Sequence, residues 1–514
     1  MAQVLWPMVE PTAIGRRTVE EDDGAEAVAP ADERKVAVGR RRVMVILCVL
    51  KFIEGWTYYL LSNVLTLVLT DRYGYTDEAA GAAFGLRGSA AVFFATIFGP
   101  MVDIDPVMCL QAGFMLSCLG RVFLTIPGLG NLGAAALLFV VIPAGHSLGM
   151  PVVKVAMKRC MPVEDSTAGF AALYWSLVAG ITLSGPTVDF FTISVGSVGC
   201  LDAYDLMFLF TGLLCLLGWF LAGLVHLGEP AAGEDTVKCS SVIGVATSGR
   251  FWRFLLYTVV SLPGHLVLRN LDGGIFPKFM LRSFGPKVPK GSIYAINPML
   301  DILCIPFVSK LTSGRVSHFS MIQLGLVVAS LSPLILWVLP TSIPAVVIFI
   351  VVLTVGDMLY QPRLDAYAMA VAPVGREGSF MAAANLFLFI SDVPVGLVGG
   401  FLLDRFCRRP TCETCTLAEE AQAVCQAEDS VAKWASPGCD DCYCPETCHA
   451  GAMHGTLALI AVVGPVLLFL LRGLVVEPSA ASAGLVTKPP GMQAEDSDHE
   501  LVAIVAGDEE SGVG

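Results

Sequence analysis

The sequence predicts an all-α integral membrane protein of twelve transmembrane helices, arranged as two pseudo-symmetric bundles of six. Three observations carry that expectation. Hydrophobic residues make up 55% of the 514-residue chain and charged residues only 15%, against roughly a quarter charged in soluble proteins. The apolar residues fall into blocks of membrane-spanning length, about 20 residues each. Charge is also confined: residues 1–42, 403–452 and 476–514 account between them for the whole net charge of −13, and the rest of the chain is neutral on balance. Together with a mean hydropathy of +0.70, this excludes a soluble enzyme, a disordered chain and a nucleic-acid binder. The acidity belongs to tails and one loop and marks no nucleic-acid groove.

The first apolar run begins near Val43. The segment before it, 1–42, carries Glu20, Glu21, Asp22 and Asp23. Those acids predict neither a cleavable signal peptide nor a transit peptide, and the low apolar content predicts a disordered tail. Further runs begin near Ala79, Pro106, Leu132, Thr167, Tyr204, Trp252, Gly291, His318, Ile343, Gly378 and Met453. A polar connection at 228–250 divides them into an N-terminal bundle, 43–227, and a C-terminal bundle, 251–475. The acidic stretch 476–514 is expected to be a second disordered tail. Lys35, Arg40, Arg41 and Arg42 immediately precede the first span, and Lys154, Lys158 and Arg159 follow the fourth. The positive-inside rule places both groups in the cytosol. An even span count then returns the C-terminus there, in the plasma membrane or an endomembrane, and puts the 403–452 loop outside the cell or in a lumen.

Eight of the 16 cysteines lie in that loop: Cys407, Cys412, Cys415, Cys425, Cys439, Cys442, Cys444 and Cys448. Such clustering on an oxidising face predicts a disulfide framework of open connectivity. Cys412-x-x-Cys415 and Cys439-x-x-Cys442 also have zinc-ligand spacing; disulfides are the preferred reading and no metal is expected. A stabilised cap is preferred over ligand capture as the loop's role.

The two halves share a weak internal echo. Span one ends at Asp71-Arg72-Tyr73-Gly74 and span seven at Leu281-Arg282-Ser283-Phe284-Gly285, each followed by a glycine, Gly81 or Gly291, that opens the next span. Paired six-helix halves are what the major facilitator architecture requires. Charge placement agrees. A charge at mid-bilayer costs roughly 2.5–3.5 kcal/mol and should face a wet cavity. Glu54, Arg87, Lys154, Arg269, Asp272, Asp301, Asp357, Asp365 and Asp392 fall within spans, whereas spans three, six, nine and twelve hold only Arg121 away from their ends. Those four helices lie outermost in that architecture.

Within spans, polar residues recur at helical spacing. Lys51, Glu54 and Tyr58 share a face, as do His265, Arg269 and Asp272, and Asp357, Gln361 and Asp365. Basic groups on one half (Arg87, Lys154) and acids on the other (Asp357, Asp365) would suit a zwitterion with separated charges. For each residue a plain structural role is the alternative: Tyr58 and Tyr59 as packing aromatics, Lys154 as a snorkelling interfacial anchor.

Several segments, in order along both halves, resemble one family. Glu54-Gly55-Trp56-Thr57-Tyr58-Tyr59 is similar to the E-x-x-E-R-F-x-Y-Y signature of the proton-dependent oligopeptide transporters, within the major facilitator superfamily. Gly149 to Lys154 resembles the fourth-helix G-x-G-G-I-K, and Leu173-Tyr174 with Gly180 resembles F-Y-x-x-I-N-x-G. Gly356-Asp357 and Leu364-Asp365-Ala366-Tyr367 before Ala372-Pro373 resemble the span-ten pattern. Departures are Lys51 for the first glutamate, Gly55 for the arginine and Val178 for the asparagine. Gly99 and Asp103 keep only the G-x-x-x-D core of the gating motif. The resemblance implies a secondary transporter in which Tyr58, Tyr59, Arg87, Lys154, Tyr174, Asn297, Asp357 and Asp365 bind substrate, while Lys51, Glu54, Arg269 and Asp272 couple protons. Expected partners are a small polar or zwitterionic solute, di- or tripeptides first, protons and the lipid bilayer. No phosphate-binding G-x-x-x-x-G-K-[ST] occurs, so neither a nucleotide cofactor nor an enzyme is expected. Another organic solute or anion, and a receptor using the Cys-rich loop, remain as alternatives; the oligomeric state is open.

Overall fold

The computed structural model describes residues 31–160, 166–225, 249–312, 318–371, 392–408 and 448–475. Helix α1 (Ala31–Asp71) carries the first apolar run and stops at a turn whose Gly74 sits at φ 69°. Thr76 then caps α2 (Asp77–Ile104), its hydroxyl accepting from the Ala79 amide at 3.2 Å, with Asp77 and Glu78 in the first turn where the helix dipole favours acids. Asp105 alone separates α2 from α3 (Pro106–Phe123), and it caps α3 by accepting from the Met108 amide at 2.9 Å. The fourth span runs on through α4 (Asn131–Ala136), a π-helical turn at Leu137–Val141 and α5 (Ile142–Cys160). α6 (Ser166–Asp189) continues into a second π-helical turn, Phe190–Val195, and α7 (Ala203–Ala222) starts at an Asp202/Asp205 capping box.

The C-terminal half comprises α8 (Gly249–Leu271), α9 (Phe276–Phe284), α10 (Lys290–Tyr294), α11 (Ile296–Thr312), α12 (His318–Leu331), α13 (Leu334–Val338), α14 (Ile343–Val371), α15 (Asp392–Phe406), α16 (Ala450–Leu470) and a short α17 (Arg472–Val475). Among the described residues nine segments are long and apolar enough to cross a bilayer. α2, the α10–α11 pair and α15 fill the other three expected positions; the expected start of span eleven, near Gly378, lies outside the described residues. No strand occurs among the described residues, only isolated bridges such as Cys407 with Cys448.

Each half has its own apolar core. Leu47, Leu50, Phe114 and Val152 centre one cluster of the first half, and Leu61, Leu65, Leu138 and Phe208 another. Phe279, Leu353, Leu402 and Met453 centre that of the second half. The outward faces are equally apolar: Leu213 on α7 is 66% exposed and Leu459 on α16 75%. Lipid tails, not water, suit such surfaces.

The halves meet at one end of the bundle, the end toward which α1 runs, here termed distal. Small residues permit the approach. A Cβ on Gly185 of α6 would lie 2.0 Å from the Gly291 carbonyl oxygen of α10, and one on Gly81 of α2 would lie 2.3 Å from that of Gly396 on α15. The chain between α8 and α9 touches α1 through Gly273, which sits at φ 143° and accepts from the Thr66 hydroxyl at 3.0 Å. Asp189 accepts from the amides of Gly291 (2.9 Å) and Ser292 (2.6 Å).

Charge reinforces this seal. Asp77, at the tip of α2, receives Lys278 Nζ at 2.7 Å and Arg282 Nη1 and Nη2 at 2.8 and 2.9 Å, all three side chains buried. Arg282 also donates to the Cys407 carbonyl. Cys407 and Cys448, 41 residues apart, form a disulfide that ties the end of α15 to the start of α16. Two of the eight loop cysteines are thus paired as expected; the other six lie outside the described residues.

Candidate functional site

Beneath the distal seal lies a small, partly open cavity. α1 supplies Tyr58, Tyr59 and Ser62 to its wall, α2 supplies Phe84, Arg87 and Gly88, α8 supplies Arg269 and Asp272, and α15 supplies Asp392. Both halves therefore contribute, as a solute path between two bundles requires.

On the first half, Lys51 Nζ donates to both carboxylate oxygens of Glu54 at 2.9 Å. The two are only 2% and 8% exposed. One helical turn separates them, so α1 alone builds the pair. His146 of α5 brings Nε2 to 4.0 Å from Glu54 Oε1 and stacks its ring on Tyr58 at 4.4 Å. The Arg87 guanidinium lies 4.4 Å from the centre of the same Tyr58 ring and donates to Ser62 Oγ at 2.8 Å. Arg87 is 3% exposed, and its Nε and Nη2 have no hydrogen-bond partner among the described residues. Arg121, the lone charge of span three, turns inward: its Nη2 donates to the Thr57 carbonyl at 3.2 Å.

On the second half, Arg269 is fully engaged. It holds Asp392 through two bonds, Nε to Oδ1 at 3.0 Å and Nη2 to Oδ2 at 2.6 Å, and reaches Asp272 Oδ2 with Nη1 at 3.2 Å. Tyr294 donates its hydroxyl to Asp272 Oδ1 at 3.3 Å. Such a forked arginine–carboxylate contact fixes orientation as well as charge. α2 can approach the paired Asp392 because residue 88 is glycine: a Cβ there would meet Oδ2 at 2.6 Å.

Of the residues singled out in the sequence, Tyr58, Tyr59, Arg87, Arg269 and Asp272 line this cavity, and Lys51 and Glu54 pair beside it. Asn297 donates to Thr354 Oγ1 at 2.9 Å where α11 meets α14, the helix that carries Asp357. Lys154 is exposed on α5 and Tyr174 is 45% exposed on α6; neither is in the cavity wall. The side chains of Asp103 and Asp365 lie outside the described residues, as does any side-chain account of Gly99. Asp392 was visible in the sequence as an intramembrane charge without an assigned role. Ser62 and His146 were missed. A lone histidine in an apolar run was the available signal for His146; a serine in a helix offers none.

A family model for the Major Facilitator Superfamily matches residues 47–396, more than half of the chain. The chain belongs to the Major Facilitator Superfamily. Comparison with curated protein sequences finds no match. Solved structures show the fold. A POT family transporter in complex with 5-aminolevulinic acid aligns at a TM-score of 0.64 with 16% identity, over 84% of this chain and 96% of that one. A peptide transporter POT in complex with sulfate aligns at 0.62 with 16% identity, over 87% and 99%. A bacterial homolog to the human lysosomal transporter Spinster, inward-facing and unoccupied, aligns at 0.63 with 14% identity, over 85% and 97%. Superfamily membership makes the chain a multi-pass solute transporter.

Proposed function

We propose that this superfamily member carries a small zwitterionic solute, peptide-like in character, by alternating access coupled to protons. The observation that carries the reading is Arg87. It is a buried cation on the cavity wall with two N–H groups unpartnered among the described residues, whereas the cavity's other arginine is held by two carboxylates. A solute carboxylate would complete Arg87 by charge-assisted hydrogen bonds. An acid of the second half, Asp365, would receive its cationic end. The POT relatives' ligands, 5-aminolevulinic acid and a thioalcohol-conjugated peptide, are consistent with this class. The buried Lys51–Glu54 pair supports proton coupling: protonation of Glu54 would release Lys51 and so report the proton to α1. Bundles 43–227 and 251–475 would rock about the cavity with both termini in the cytosol, in the plasma membrane or an endomembrane.

Uptake of a labelled dipeptide library into liposomes, with and without a proton gradient, tests the reading. Gradient-stimulated uptake of some library members is expected; uptake only of unrelated organic anions, or none dependent on the gradient, overturns it. Arg87→Gln should weaken carboxylate-bearing substrates about 10- to 100-fold, the worth of a hydrogen bond to a buried charge. Analogues with that carboxylate amidated should change little; an equal loss for both would assign Arg87 to structure.

A further inference from the structure

A second set of buried charge lies in the C-terminal half, between α11 and α14, and lines no part of the cavity described above. Both helices descend from the distal end, where Gly291 just before α11 meets Asp189 and Trp337 just before α14 meets Gly451. They are thus parallel, and the buried Asn297–Thr354 hydrogen bond, 2.9 Å, fixes their register. One helical turn further on stand Asp301, four residues after Asn297, and Asp357, three residues after Thr354. Residues three and four apart share a helix face, so the two carboxyls are set against one another in the next layer of the same contact. Asp301 is 9% exposed. Oδ1 of each is buried without a hydrogen-bond partner among the described residues.

Among the described residues no hydrogen bond reaches Oδ1 of either carboxyl. α8 is the charged element packed on this pair, and it brings Asp272, Arg269 and His265. Arg269 is committed to Asp272 and Asp392, and Asp272 adds a like charge. His265 turns its ring to Tyr360, and its Nδ1 has no partner. From α6 and α12 no charged side chain acts on the pair among the described residues. One of the two carboxylates is buried and the other half-buried, each opposes the other's charge, and burial opposes the charge of both. A proton on one carboxyl turns an acceptor into a donor, which the other could accept.

We propose that Asp301 and Asp357 form a proton-carrying carboxyl pair, with one proton held between them, in the C-terminal half. The proton comes from water and returns to it, with no other reactant. The pair is separate from Lys51–Glu54, so each half carries a protonatable centre of its own. It does not depend on which solute is transported.

Infrared difference spectroscopy of the full-length protein in lipid, without any solute, tests this directly. At about pH 7 ordinary carboxyls are ionised, so a protonated-carboxyl C=O band there reports an exceptional group. The wild type should show that band, and the Asp301→Asn/Asp357→Asn double variant should lose it. Asp272→Asn and Glu54→Gln should retain it, which separates the pair from the neighbouring acid and from the proposed coupling residue of α1. Absence of the band in the wild type overturns the proposal whether or not the variants fold. So does a band that survives the double variant, or one abolished by adding sodium at constant pH, which would make the pair a metal-cation site. Failure of dipeptide uptake leaves this result untouched, so the two readings fail independently.

Discussion

Asp77→Ala is expected to open the distal end of the transporter. Among the described residues Asp77 is the carboxylate bonded to both Lys278 and Arg282, which are buried to 1% and 7% exposure. Removing it leaves two cations without their partner in a site that water does not reach. Breaking a buried pair in this way costs roughly 3–5 kcal/mol. Because the pair joins α2 of one half to α9 of the other, that cost falls on the sealed conformation. An equilibrium shift on the order of 100- to 1000-fold toward separated distal ends should follow. Spin labels on the exposed Val198 and Val338 would read it as a longer distance population. An unchanged distribution would show that the glycine contacts alone hold the seal. The pH dependence has a definite sign. Burial pulls the Asp77 carboxyl up, but Arg282 and Lys278 outweigh it and hold it at about 2, below its ordinary 3.8. A depressed carboxyl contributes stability that is complete above its unfolded value and lost as pH falls through its folded one. The latch should therefore stay intact on acidification to about pH 5 and weaken only between about 4 and 2. A mildly acidic compartment would not open this gate through Asp77.

Gly185→Val should abolish transport while sparing the fold. At this crossing of α6 and α10 an added Cβ would sit 2.0 Å from a backbone oxygen, and Gly291 faces the same obstruction in return, 2.1 Å from the Gly185 oxygen. Backbone cannot yield as a flexible side chain does. Overpacking costs at least about 1–3 kcal/mol, and here it is relieved simply by parting the halves. Each half keeps its own core, so the protein should still purify as a monodisperse species. Uptake should fall at least about tenfold, with the Val198–Val338 distance lengthened as in Asp77→Ala. Uptake near the wild-type rate would mean that closure of α6 on α10 is not required in the cycle.

Much of this was legible in the chain. Span-length apolar blocks fix where helices lie, because a bilayer admits only segments whose backbone is satisfied internally. The Lys51–Glu54 pair could be read from spacing alone, since both residues sit on one helix and one turn apart. Intramembrane charge marked Arg87, Arg269 and Asp272 as cavity residues, because burying a charge in lipid is costly whatever the fold. Lys154 satisfied the same pattern and Tyr174 came from the family resemblance, yet neither is in the cavity wall, since neither a charge nor a motif gives a helix's orientation toward a neighbour.

What only the tertiary structure decided are contacts between residues far apart in sequence. Asp392 meets Arg269 across 123 positions and Asp77 meets Arg282 across 205. His146 reaches Tyr58 only because α5 packs on α1. The sequence by itself determined the multi-pass membrane character, the helices and the buried charges that had to find partners. Which partner each charge found, and that Arg87, Asp301 and Asp357 kept polar atoms without one among the described residues, depended on how the helices pack, because helix positions along a chain leave their mutual rotation and register undetermined.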